Sequence, residues 1–427
     1  MRTAGIIAEY NPFHRGHAYQ IQYTKERLGA DFVIAVMSGD YVQRGTPAFL
    51  PKHLRTQMAL SCGADLVLEL PVSVSTASAE AFAMGGVSLL NGLGVVDLLC
   101  FGSESGEISA LKELAQILME EPDEYKRLLK EFLSEGLSFP AARSQALTEY
   151  FKNPRNFSGD DFDGVLTPLL NEVTKILNTP NNILGIEYCK ALLRLDSKIK
   201  PVTIRREGMG YHDTQLPFDD EQNPFASATA IRKLALSCDS DSFTQIASQV
   251  PESIAPLLKT ALESDHFLTE DDLDAILSYC LLQKNAAQLG AYLDVSESLA
   301  QRIVNQRNLL QGFAASASIL KTKEMTQTRI QRALLHIILG ITETPASVPY
   351  ARVLGFRKES SALLKEIKTN SKIPVITKLA DADAILDEPG RKLLGETTFA
   401  SNLYESLLCM RSKKEFVHEY EKQIVIL

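Results

Sequence analysis

Two histidines separated by Arg-Gly stand where the first apolar run of the chain ends, in "GIIAEYNPFHRGHAYQIQY", residues 5–23. Asn11-Pro12 forces a turn after the strand, and Gly16 lets backbone approach a ligand without a Cβ in the way. His14 and His17 lie three apart at the start of a helix, so their rings share a face beside its free N–H groups. A positive helix end with two imidazole donors suits charge growing on an α-phosphate and on a leaving pyrophosphate. A second stretch, "FASATAIRK" (225–233), places Ser227 and Thr229 at another helix start, with Arg232 one turn inside. Hydroxyls, backbone donors and a guanidinium there make a seat for β- and γ-phosphates. A third, "CFGSES" (100–105), ends an apolar strand with Gly102, which leaves room for a flat base against backbone.

Taken singly, these signals are weak. An H-x-x-H pair also serves as a helix cap or half a metal site, S-x-T-x-x-R is a common helix start, and "FGSE" is an ordinary exit from a strand. A zinc centre would need a third ligand, and no Cys, His or Asp cluster supplies one at ligand spacing. What joins the three motifs is the set of elements that carry them. Strands are expected at Thr3–Glu9, Asp31–Met37, Asp65–Leu70, Asp97–Phe101 and Ile199–Arg205. Helical patterns lie between them at His17–Leu28, Lys52–Cys62 and Ala77–Leu90, and in pieces from Ile108 to Leu195. The strand runs are apolar rather than alternating, as in strands buried on both faces, and their alternation with helices predicts a doubly wound α/β sheet. In strand order 3-2-1-4-5 the first and fourth strands flank the switch point, where ligands bind beyond the carboxyl ends. The histidine turn and the Gly102 loop then open onto one crevice. Asp40, Gln43 and Arg44 follow the second strand near it, either as ligand contacts or as a structural loop.

The chain has 427 residues, 45% hydrophobic and 23% charged, which predicts a globular protein of two domains. Strand signals largely stop after about Ser237, so the division is expected near residue 240: an α/β domain at 1–240 and an all-helical domain at 241–427. The net charge of −9 excludes coating of nucleic acid by bulk charge. Residues 321–380, however, carry eleven basic and four acidic side chains, a local +7. Such a patch suits RNA phosphates. Within "TRIQRALLHIILGI", Ile330, Leu334, Ile337 and Ile341 form an apolar stripe at helical spacing. Arg329, Arg332 and His336 fall on another face, with Lys321 and Lys323 upstream and Arg352 and Arg357 beyond. No apolar run is long enough for a membrane span, and Glu9 interrupts the N-terminal one, so no secretory signal is expected. Six scattered cysteines without C-x-x-C spacing read as buried thiols of a reducing cytoplasm.

The H-x-G-H and S-x-T-x-x-R pair resembles the nucleotidyltransferase superfamily. A closer resemblance runs through "AEYNPFHRGH", "VMSGDYVQRGTPA", "GADLVLELP", "FGSE", "NNILGIEY", "GYHD", "FASATAIRK", "TRIQRALLHIILGI" and "YARVLGF". Together these are similar to the bacterial tRNA(Met) cytidine acetate ligase family. The resemblance implies a Rossmann-like fold of nucleotidyltransferase type and a two-step reaction. ATP and acetate give acetyl-adenylate and pyrophosphate; the acetyl group then passes to N4 of the wobble cytidine of elongator methionine tRNA. Mg²⁺ is expected with the phosphates, with no dedicated protein cage. The implied ATP site covers Ile7, Ala8, Glu9, Tyr10, Asn11, Pro12, Phe13, His14, Arg15, Gly16, His17, Ala18, Tyr19 and Gln20. It adds Gly102, Asn181 and Arg206, with Asn182 and Arg205 as alternatives in register. Two other readings fit the same motifs: an adenylyltransferase for a small cofactor precursor, and a non-catalytic RNA-binding protein on a relict nucleotide fold.

Overall fold

The computed structural model describes residues 1–137, 139–153, 173, 175–206, 226–237 and 242–427. "GYHD", "NFSGDDFDGVLTP", Phe225, Cys238 and the expected boundary near residue 240 lie outside them.

Ten strands are described: β1 (Thr3–Ala8), β2 (Phe32–Ser38), β3 (Tyr41–Val42), β4 (Thr46–Pro47), β5 (Leu66–Leu70), β6 (Leu98–Ser103), β7 (Lys200–Arg205), β8 (Ala351–Phe356), β9 (Val375–Ile376) and β10 (Val425–Ile426). The main sheet runs β10-β8-β5-β2-β1-β6-β7, with β9 beside β8. The five expected strands therefore form in the expected order, and every pair among them is parallel. The aspartates expected to open three of them stay outside the ladder. Asp31, Asp65 and Asp97 accept from the amides of Arg2 (2.7 Å), Val33 (2.8 Å) and Thr3 (2.8 Å), capping the start of the neighbouring strand.

Each face of the sheet is covered, which explains the continuous apolar runs. On one face Ile6, Val33, Ala35 and Met37 meet the helices Arg15–Glu26 and Lys52–Ser61 through Ile21 and Met58. On the other, Ile7, Ile34 and Val36 meet the helices Ala79–Gly92 and Pro180–Arg194 through Phe82, Val87, Ile186 and Tyr188.

The C-terminal part is mainly helical, yet it also completes the sheet. β8 lies antiparallel to β5, and β10 and β9 extend it. The strand is hidden in the sequence because "ARVLGF" carries a cation, Arg352, in an otherwise apolar run. That cation has buried partners. Arg352 donates to Glu69 of β5 and to Glu419, and Lys52 lies 2.7 Å from each of these carboxylates and 3.5 Å from Asp40. Burial and Arg352 would lower the Lys52 pKa, but Glu419, Glu69 and Asp40 together outweigh them and raise it. The helices Asp274–Gln283, Glu297–Gln306, Phe313–Leu320, Gln327–Leu339 and Glu388–Ser412 form a core that includes Tyr41 and Val72 of the α/β half, so the two parts are packed together. Ile330, Leu334, Ile337 and Ile341 are buried in it, as the stripe predicts. His336 is not on the basic face. It is fully buried, with Nε2 3.1 Å from Thr76 Oγ1 and Nδ1 3.0 Å from the Leu293 carbonyl.

Candidate active site

At the end of β1, the chain turns on Tyr10, which takes a positive φ of 50°. Asn11 Oδ1 accepts from Phe49 N at 2.7 Å and fixes the turn. Beneath it Arg55 is fully buried and spends its donors on carbonyls. It reaches Glu9 at 2.7 Å, Leu50 at 2.8 Å and Ser38 at 2.9 Å, as well as Gly39. One guanidinium thereby satisfies the acceptors left where β1 and β2 end.

The helix Arg15–Glu26 opens with His14 as its N-cap. His14 Nδ1 accepts from Gly16 N at 3.1 Å, and His17 Nδ1 accepts from His14 N at 3.2 Å. The rings stack, 3.7 Å between centroids and 24° apart in plane. Burial and then Arg206 lower the His14 pKa to about 3; burial, His14 and Arg206 hold His17 well below its ordinary value. Both rings are therefore neutral at physiological pH. Because each Nδ1 accepts a backbone hydrogen bond, the ring proton sits on Nε2. The pair offers two N–H donors of fixed tautomer, not two positive charges.

The other two motifs arrive at the same edge. Gly102, the last residue but one of β6, lies beside Arg206, whose Cγ would be 3.1 Å from any Cβ at that glycine. Ser227 caps the helix Ala228–Ala235 by accepting from Ala230 N at 3.1 Å. Arg232 donates to Thr229 Oγ1 at 3.2 Å and to the Asn11 carbonyl, tying this helix to the histidine turn.

A cleft of about 1090 Å³, its open mouth included, results. Ile7, Ala8, Glu9, Tyr10, Asn11, His14, His17 and Gln20 line it, with Gly102, Asn181, Arg206, Ser227, Thr229 and Arg232. Gly16, Tyr19 and Arg205 line an adjoining lobe. Four residues of the 7–20 stretch line neither: Pro12, Phe13, Arg15 and Ala18. Phe13 is in the core, Ala18 packs against that core and Arg15 is exposed, because a strand, turn and helix cannot turn every side chain one way. Of the two asparagines, Asn181 faces the cleft and donates to Glu104 at 2.6 Å. Asn182 is buried between Ser105 and Thr179 and serves the loop.

Asp40, Gln43 and Arg44, ambiguous in the sequence, divide between the two roles. Gln43 and Arg44, with Val42 and Thr46 of the β3–β4 hairpin, line the cleft. Asp40 is buried and accepts from Lys52 N at 2.9 Å, a structural role. Phe82, Phe101, Leu184, Tyr188 and Ala228 also line the cleft; Phe101 and Ala228 adjoin Gly102 and Ser227 in the site motifs, whereas nothing in the pattern of Phe82, Leu184 and Tyr188 points there. Apolar residues on covering helices look the same in sequence whether they face core or cleft. Among the described residues, no group of three or more His, Cys, Asp and Glu side chains could hold a metal ion.

The six expected RNA contacts do not form one surface. Lys321, Lys323 and Arg329 are exposed. Arg332 is partly buried and pairs with Asp294 at 3.0 Å. Arg352 has no access to RNA: it is 4% exposed and committed to Glu69 and Glu419. Arg357 sits where its amide meets the Asp65 carbonyl, at the amino end of β5, and lines a groove with Lys25 and Cys62 away from the cleft.

Residues 1–419 match the family model described as HIGH Nucleotidyl Transferase. A tRNA(Met) cytidine acetate ligase of Acetivibrio thermocellus is 37% identical, with 100% of each chain covered. One from Clostridium kluyveri is 42% identical over 89% of this chain and 90% of its own. This chain belongs to the tRNA(Met) cytidine acetate ligase family. Crystal structures of Thermotoga maritima TmcAL, 30% identical, superpose over 100% of both chains. The TM-score is 0.90 for an apo form and 0.87 for a form bound with alpha-thio ATP. The family's members are ligases built on this α/β scaffold with a helical C-terminal region. Among the described residues, no helix is long and apolar enough to cross a membrane.

Proposed function

We propose that this ligase joins acetate to ATP, forming acetyl-adenylate and pyrophosphate, and then transfers the acetyl group to N4 of the wobble cytidine of elongator methionine tRNA. The observation that carries the first step is the stacked, neutral His14–His17 pair at a helix N-terminus, facing a cleft that also presents Arg206, Thr229 and Arg232. Two Nε2–H donors and a helix end placed where charge develops on the α-phosphate and its leaving oxygen lower the barrier without moving a proton. Arg232 and Thr229 hold the β- and γ-phosphates, which brings pyrophosphate to the helix Ala228–Ala235. A carboxylate attacks the phosphorus in line, and positioning supplies much of the acceleration.

Mg²⁺ in this reading arrives with the phosphates of ATP and neutralises part of their charge. The second step needs an RNA surface, for which Lys321, Lys323 and Arg329 are the exposed cations. A cytoplasmic setting follows from that substrate. Pyrophosphate release measured with ATP, acetate and tRNA tests the reading. Release that requires ATP and acetate supports it, and release independent of acetate refutes it.

A further inference from the structure

The adjoining lobe and the main cleft share His14, His17, Gln20, Gly102 and Arg206, so the histidines stand at a joint between two spaces. The adjoining lobe, walled by Tyr19, Gly102, Ile204, Arg205 and Ala226, lies toward the face of the sheet that carries the histidine helix. In the ligase reading pyrophosphate leaves toward Arg232, which donates to the Asn11 carbonyl and to Thr229. The other wall of the main cleft is built from the opposite face. Ile7, Phe82, Phe101 and Tyr188 belong to the core of that face, and Leu184 packs against it. Glu9 follows Ile7 by two residues, the strand period, and lines the cleft.

This second space has the chemistry of a pyrimidine slot. Phe101 and Tyr188 pack on each other with centroids 5.4 Å apart and planes 55° apart, and with Phe82 they give this wall three aromatic rings against which a base can lie. Glu9 is the acidic side chain on its rim. Its Oε1 accepts from Gln43 N at 2.8 Å, which fixes the carboxylate. Among the described residues Oε2 has no further hydrogen bond and is left for a ligand. A carboxylate is the acceptor that matches a cytosine amino group. Glu9 and Tyr188 line the same cleft, and burial and then the charge of Glu9 raise the Tyr188 pKa.

We propose that the space bounded by Glu9, Phe82, Leu184 and Tyr188 receives the acceptor cytosine, and that Glu9 takes the proton from its N4 during acyl transfer. N4 attacks the acetyl carbonyl carbon of acetyl-adenylate. A C–N bond forms, the carbonyl C–O bond to phosphate breaks, and AMP leaves with that electron pair. One N4 proton moves to Glu9 Oε2 and then to water. An exocyclic amine conjugated to the ring is a poor nucleophile until that proton is accepted, so a positioned base acts directly on the rate. The neutral histidines, whose Nε2 atoms already carry protons, are not available for it.

This assignment rests on the ligase reading above, and the test separates the two. Glu9→Gln keeps an oxygen for Gln43 N and removes the base. Acetyl-adenylate formation and acetyl transfer to tRNA are measured separately, the first by hydroxylamine trapping and the second by single-turnover labelling. The ratio of transfer to adenylate formation should fall about 10²–10⁴-fold in the variant. Glu9→Ala should show the same fall and recover transfer with added azide as an external base. An unchanged ratio, or a loss confined to adenylate formation, overturns the role of Glu9. Failure of the unaltered protein to form acetyl-adenylate overturns the ligase reading instead.

Discussion

The histidine turn and the basic segment illustrate two kinds of sequence signal, and the molecule treats them in opposite ways. In residues 9–17 neighbours in sequence remain neighbours in function. The N-cap and the two rings are held by hydrogen bonds that span at most three residues, while the turn before them is anchored from outside by Phe49, Gln43, Arg55 and Arg232. In residues 321–380 eleven cations share a local charge, yet the six expected to meet RNA do not share a surface. Arg352 is in a buried ion network, Arg332 in a partly buried pair, and Arg357 at the far end of the sheet. Local backbone geometry is written in a short stretch of sequence, whereas the partner of a charge can lie hundreds of residues away. Arg352 and Glu69 are one such pair.

That contrast breaks most visibly at Arg352. Replacing it by Ala leaves Glu69 and Glu419 buried with less compensation, and should cost about 3–5 kcal/mol of stability in denaturant unfolding. Arg329→Gln, in the same basic segment but exposed, should stay within about 0.5 kcal/mol. Equal costs would mean that the two cations have similar surroundings after all.

The histidine turn gives the next largest effect. His17→Ala should lower acetyl-adenylate formation by about 10²–10³-fold, the usual loss for one preorganised donor, with little change in folding. Near-normal adenylate formation in that variant would remove His17 from the chemistry.

The RNA surface should respond more weakly. Changing Lys321, Lys323 and Arg329 together to Gln should reduce the salt slope of tRNA binding by roughly 0.7–0.9 for each phosphate no longer neutralised. Adenylate formation without tRNA should persist, since none of the three lines the cleft. Unaltered tRNA binding would show these cations to be merely solvated.

A further expected effect concerns pH. Folded His14 binds its proton only near pH 3, against an ordinary 6.5, so the unfolded chain takes up more protons between those values. The contribution of the neutral ring is complete above about pH 6.5 and is lost as pH falls toward 3. Thermal unfolding across that window should show a shallower decline in His14→Gln. An identical decline would place His14 in water rather than in the turn.

Much of the fold is legible in the sequence because it rests on continuous apolar strands and on a general rule for where their crevice lies. β8 is not, since its cation looks like surface until Glu69 and Glu419 are placed beside it. Within the site, the capping histidines, Gly102 and the Ser227–Arg232 turn are legible through local geometry. Phe82, Leu184 and Tyr188 are not, because only the packing of two helices across the sheet decides that they face the cleft. Gln43 and Arg44 are visible as a loop, but the approach of Gln43 to Glu9 depends on how β1 and the hairpin meet.

Whether the three motifs form a single acetate-activating site is decided by trapping the intermediate. The protein is incubated with ATP and isotopically labelled acetate without tRNA, and the acid-quenched mixture is analysed by mass spectrometry for acetyl-adenylate. Labelled acetyl-adenylate should be found in the quenched mixture and be much reduced in His17→Ala. It should convert to labelled N4-acetylcytidine when elongator methionine tRNA is added. Labelled acetylcytidine that forms without any trapped adenylate, at equal rates in the protein and in His17→Ala, would contradict a single acetate-activating site.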